Sequence, residues 1–196
     1  HPQIEVWNES KHGILYHANR EKLNLESDQW RAGVEYFTGP TCSTCHMSAT
    51  SDLPITHDVG ERISLTLRPP VSVTLNMVIY EDGYKEDYKE GVQTLPEIGQ
   101  QITTKEKVLE GEKLVVKDVP RTVAKIVKWQ DRREQMKGAC LNCHNDTYVD
   151  NFYQQFDDLV NLYNDKFGKP SVQMMADLAA DGAVNPKSPF GKDVQW

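Results

Sequence analysis

Two copies of one short run constrain this chain more than anything else in it. Cys42-Ser43-Thr44-Cys45-His46 and Cys140-Leu141-Asn142-Cys143-His144 both read Cys-x-x-Cys-His, and together they use all four cysteines. Three chemistries compete for such pairs. Zinc ribbons draw four thiolates from two distant CxxC pairs. A redox dithiol belongs to a thioredoxin-like βαβ context, which neither run has. The third chemistry is covalent attachment of a c-type haem, whose signature is CxxCH. The trailing histidine separates them. With six histidines in 196 residues, chance places one behind a given CxxC about 3% of the time and behind both about 0.1%. A zinc site has no use for it twice, whereas a haem requires it. Cysteines at i and i+3 of a helical turn face one way and can form thioethers with two vinyl groups. The histidine at i+4 then lies beneath the ring and reaches the iron. The runs therefore predict two covalently bound haems c, tethered by Cys42, Cys45, Cys140 and Cys143, with His46 and His144 as proximal ligands.

Each iron needs a sixth ligand or keeps an open position. The remaining histidines, His1, His12, His17 and His57, all fall in the first 57 residues. His12 in "ESKHG" and His57 in "PITHDVG" are the favoured distal ligands, giving two bis-histidine, low-spin irons that move electrons and bind no substrate. Methionine is the other common axial ligand. Met47 adjoins its own attachment site, Met136 precedes the second site by four residues, and Met174 and Met175 lie in an apolar pattern. His1 and His17 exceed what two irons can use. They point to ligation of a haem outside this sequence, and hence to a fragment or a subunit of a larger haem array; His17 reads equally well as an ordinary surface or core histidine. A chain starting at His1 has lost a leader or belongs to a longer polypeptide.

The apolar content of 38% is low for a chain with 26% charged residues, so part of the core volume is expected from something other than side chains. The net charge of −7, with no basic run, argues against nucleic acid as a partner. No stretch is apolar for long enough to span a bilayer.

Periodicity predicts helix over 2–23 and a second helix from a Ser27-Asp28 cap to Phe37, stopped by Gly39-Pro40. Residues 62–120 alternate in "RISLTLRPPVSVTLNMVIY" and "EKLVVKDV" and read as extended segments and loops. Helix resumes near Thr122 and leads into the second CxxCH. Beyond it, Val149, Phe152, Phe156, Leu159 and Tyr163 recur at spacings of 3 and 4 on a long helix that ends at Gly168-Lys169-Pro170. That stripe reads equally as core or as a subunit contact. A short helix over 171–180 and a tail complete the chain. The expected fold is mainly α: helices around covalently bound haems, a β/loop segment near 62–120 and a long C-terminal helix. It forms one two-haem unit over 1–196, divided at 1–61, 62–120 and 121–196.

The stretches "HPQIEVWNESKHG", "GPTCSTCHMS", "THDVGERISLTLRPPVS", "RREQMKGACLNCH" and "NFYQQFDDLVNLYNDKF" together resemble the C-terminal part of the octahaem hydroxylamine oxidoreductases. The resemblance implies a largely helical, homotrimeric, periplasmic or otherwise extracytoplasmic protein that oxidises hydroxylamine or hydrazine at a five-coordinate haem. Bis-histidine haems carry the electrons to a redox partner cytochrome. Only two of eight attachment sites are present here, so the catalytic haem would lie in the remaining haem-bearing part of the enzyme. The resemblance also implies a tyrosine beyond the last CxxCH, tied covalently to a neighbouring subunit's catalytic haem. Tyr163 and Tyr153 are the candidates, with Tyr148 behind them. The alternative is a free-standing dihaem electron carrier or subunit.

Overall fold

The computed structural model describes residues 2–66, 70–111 and 113–184. His1 and the tail from residue 185 lie outside the described residues. The described chain divides into two compact units: 2–63 with 70–72 and 132–184, and 64–66 with 73–131.

The second of these holds the sheet. Strands β1 (Leu65–Thr66), β2 (Val73–Tyr80), β3 (Lys85–Lys89), β4 (Gln101–Glu110) and β5 (Lys113–Val127) pair antiparallel in the order β1-β2-β5-β4, with β3 also on β2. β4 and β5 form a hairpin of ten pairs, from Gln101 opposite Thr122 to Glu110 opposite Lys113. β2 pairs with β5 from Met77 opposite Val127, and the register shifts after Ile79. Val78, Tyr80 and Val123 are buried at its centre, packed by Tyr84, Tyr88, Leu95, Ile102 and Ile126. Arg121 is buried beside them; its Nε donates to Asp82 at 2.7 Å and its guanidinium lies 4.0 Å over the Tyr84 ring.

The chain is therefore not mainly α. Among the described residues 40% are helical and 23% are strand, so the sheet is a principal element. Part of the error lies at Thr122–Val127, which was expected to start a helix and instead continues β5. The run Val123-Ala-Lys-Ile-Val127 is short and β-branched, and such runs fit either period. Pairing with β2 decides it, and helix α4 begins only at Trp129 (Trp129–Cys140).

The other unit is helical and loop-rich. The helix expected over 2–23 is two helices, α1 (Pro2–Glu9) and α2 (Lys11–Ala18), followed by a 3-10 turn over Arg20–Lys22. The break falls at Ser10, whose extended backbone and side-chain oxygen cap α2 by accepting from the Gly13 N–H. The helix expected over 28–37 is absent. That segment turns on itself, with Ala32 bridging Tyr36, and its Tyr36 ring stacks on Trp30 at 4.6 Å. Leu23, Ala32 and Tyr36 are the buried cluster here, covered by Tyr16 and Trp30. Helix α3 (Cys42–His46) carries the first CxxCH, and α5 (Asp146–Tyr163) follows the second.

The long C-terminal helix exists but does not stop at Gly168. It passes through a π-turn, Asn164–Gly168, into α6 (Lys169–Ala180), with Pro170 in the first turn of α6 where no N–H is missed. Gly168 serves close approach instead: a Cβ there would meet the Pro70 carbonyl oxygen at 2.4 Å. One turn earlier, buried Asn164 accepts from the Ser72 N–H at 2.9 Å and donates to the Ser72 carbonyl at 2.8 Å. Asn164→Leu leaves both of those backbone groups unpaired and should lower stability by about 2–3 kcal/mol, read from denaturant unfolding of this unit against the wild type.

Candidate functional site

The first CxxCH is set by a capping box. Thr41 Oγ1 accepts from the Thr44 N–H, and Thr44 Oγ1 accepts from the Thr41 N–H at 3.0 Å. Thr44 is buried and shares a 2.7 Å hydrogen bond with the Tyr36 hydroxyl, which ties the motif to the small core. The carbonyls leaving α3 are gathered by Arg62. This buried guanidinium donates to Cys45 O at 3.0 Å, Ser48 O at 3.2 Å and Pro54 O at 2.8 Å. Sequence reasoning missed Arg62; its only signal was a charged residue opening an alternating segment. Arg62→Leu strands three carbonyls around the first motif and should cost about 3 kcal/mol, measured as a fall in the denaturation midpoint.

The second CxxCH spans the end of α4 and the turn into α5. The Cys143 and His144 N–H groups both donate to the Cys140 carbonyl, at 3.1 and 3.0 Å. The two helices are clamped beside it by Arg133, whose guanidinium donates to both carboxylate oxygens of Asp157 at 2.6 and 2.9 Å. Lys137 reaches Asp150 at 2.9 Å. Gly33, at φ +76°, lets the 31–36 turn approach this motif; a Cβ there would sit 2.8 Å from Asn142.

Both motifs border one cavity of about 150 Å³, lined by Cys45 of the first and by Cys140, Cys143 and His144 of the second. Leu15, Phe37 and Pro40 supply apolar walls, and His12 completes the lining. Burial pushes the Cys45 thiol up to about 11, with the neighbouring Cys140 adding to the shift. Burial likewise raises Cys140 and Cys143. Among the described residues no group of three or more His, Cys, Asp or Glu side chains is placed to hold a metal ion. The four-thiolate zinc arrangement therefore has no support in the geometry.

The two runs that the sequence separates most widely meet at a pair of imidazoles. The His12 and His144 ring centroids are 6.1 Å apart at 48°. Two imidazoles bonded to one metal through nitrogen at about 2 Å each would stand roughly this far apart. His12 is an exposed residue of the lining; partial desolvation, and then the nearby His144, lower its pKa from the ordinary histidine value. A neutral imidazole is the form that binds metal.

A protein-family model described as "Seven times multi-haem cytochrome CxxCH" matches residues 1–100, just over half of the chain. The chain belongs to this multihaem cytochrome family. No curated protein and no solved structure matches it. The cytochrome's first CxxCH lies inside the matched region and the second lies beyond it. Its role is electron transfer through covalently bound c-type haem, and no helix among its described residues is long and apolar enough to cross a membrane.

The donor sets fit that group. Each motif offers two thiols and a histidine, and the second faces a further imidazole across an apolar-walled cavity. At the first motif, His46 Nδ1 is buried without a hydrogen-bond partner. The cytochrome's other candidates are more scattered. His57 is exposed, in a loop held by the Thr56 N–H on Met47 O at 2.9 Å and by the Thr56 hydroxyl on Glu61; no ring contact joins it to His46 among the described residues. His17 is exposed and its Nε2 pairs with Asn8 Oδ1 at 3.2 Å. Tyr163 is exposed on α5, tilted against Phe167. Tyr153 is half-buried under Arg133, 5.0 Å from its ring, and burial raises its phenol pKa. Tyr148 stacks on His144 with centroids 4.6 Å apart.

Proposed function

We propose that this chain is the dihaem electron-transfer portion of a hydroxylamine-oxidoreductase-like enzyme, relaying electrons from a catalytic haem elsewhere to an external acceptor. The observation that carries the reading is the shared cavity, where two CxxCH motifs and the His12–His144 pair come together. When bound, each haem supplies a one-electron iron couple. The chain's residues do the rest. Cys42 and Cys45 tether one macrocycle, Cys140 and Cys143 the other, and His46 and His144 stand as proximal ligands. His12 serves as the distal ligand opposite His144, and His57 is the candidate opposite His46. His1 and His17 remain available to a haem outside this chain. Because Cys45 lines the cavity of the second motif, the residues that would tether the two haems lie close together, and haems bound there would supply neighbouring one-electron couples.

The wider assignment rests on the resemblance of the two haem segments and the helix after them. In the seam of α5 only Val149 is buried, while Phe152 and Leu159 are more than half exposed and Tyr163 is 37% exposed. An open apolar stripe supports a subunit contact over an internal core, in keeping with a homotrimer. The exposure of Tyr163 favours it over Tyr153 for a bond to a neighbouring subunit's haem, since Tyr153 is occupied by its own Arg133. The compartment that goes with this reading is periplasmic or otherwise extracytoplasmic.

The test is a redox titration of the pure chain alongside a turnover assay. Two electrons per polypeptide and no oxidation of hydroxylamine or hydrazine are expected, with turnover restored by the remaining haem-bearing part. Robust turnover by the two-haem chain alone contradicts this division of labour.

A further inference from the structure

We propose that Tyr148 is a positioning residue that locks the plane of the His144 imidazole and thereby makes the second haem's ligand field different from the first's. The inference rests on the reading of His144 and His12 as axial ligands of one iron. The Tyr148 ring lies 4.6 Å from the His144 ring at 18°, nearly parallel. The His12 ring lies 6.1 Å from the His144 ring at 48°. An axial imidazole is free to rotate about its metal–nitrogen bond unless something holds its plane. A parallel aromatic face is such a restraint.

Tyr148 is 56% exposed, and its backbone is held in place. Asn145 caps α5 and accepts from the Tyr148 N–H at 2.9 Å, and the next residue, Val149, is 3% exposed. Tyr148 follows His144 by four residues and lies in the first turn of α5. The same offset from His46 is Thr50, a buried residue whose hydroxyl accepts from the Leu53 N–H at 3.1 Å. The first motif therefore has no aromatic plane in this position, and the chain contains its own control. The angle between axial imidazole planes sets the splitting of the iron d orbitals, so the restraint is visible in a spectrum even where turnover is absent.

The experiment is electron paramagnetic resonance of the ferric holoprotein and of Tyr148→Leu, Tyr148→Phe and His12→Ala. The wild type is expected to give two low-spin signals, and loss of one in His12→Ala identifies the haem held by His144. Tyr148→Leu should shift the largest g value of that signal and leave the other in place. Tyr148→Phe, which keeps the ring, should reproduce the wild type. Two unchanged signals in Tyr148→Leu overturn the proposal while the ligand assignment stands; so does a Tyr148→Phe shift as large as that of the leucine variant. A wild type without a bis-imidazole low-spin signal that His12→Ala removes overturns the ligand assignment and the proposal with it.

Discussion

Replacing Cys140 and Cys143 together by serine should remove one covalently bound haem and leave the other in place. The haem content falls from two per chain to one, and the denatured protein loses the mass of one macrocycle. The loss is selective because the thioethers are local: the first motif has its own capping box at Thr41 and Thr44 and its own carbonyl anchor in Arg62. Cys42→Ser with Cys45→Ser should give the complementary loss. If His12 and His144 share one iron, as proposed from their 6.1 Å ring separation, only the chain that keeps Cys140 and Cys143 should respond spectroscopically to a change at His12. A cavity lined by Leu15, Phe37 and Pro40 that loses its occupant also loses apolar burial, and thermal stability should fall with haem content.

His12→Ala carries the second large effect. With the distal imidazole gone, the iron beside His144 becomes five-coordinate, and half of the low-spin absorbance converts to high-spin. That iron should then take up one added imidazole or cyanide per chain, whereas the wild type takes up none. The measurement is an optical titration with the added ligand, and His17→Ala is the control. His17 is paired with Asn8 on the surface, so its removal should leave the spectrum unchanged. A spin-state change in His17→Ala and none in His12→Ala would reverse the assignment.

How much of this was legible in the sequence depends on whether the chemistry is local. The two CxxCH runs are legible because thioether attachment needs its residues within one helical turn, and the shared cavity is in keeping with the haem reading of them. The α5 helix is legible for a similar reason, since its 3-and-4 spacing is a property of one segment. The sheet was read in part: alternation marks β2 and the start of β5, but Val123–Val127 carries no signal that separates buried strand from helix without knowledge of β2 across from it. The underestimate of strand content, and the mainly α class drawn from it, follow from that ambiguity. Gly168 and Pro170 look like a stop in sequence, yet they serve a close approach to Pro70 and the first turn of α6. The segment 28–37 has a helix-like cap, but Trp30 stacking on Tyr36 closes it into a turn instead. The histidine count singles out His12, whereas its approach to His144 depends on where the helices pack. The position of Tyr148 after the last motif is visible in sequence; its stack on His144 depends on the turn capped by Asn145.

The most direct test of the account is the intact mass of the denatured, purified protein, measured after noncovalent material has been stripped away. The account predicts the polypeptide mass plus two haems. A mass equal to the polypeptide alone, from protein made in cells competent for haem attachment, would contradict it.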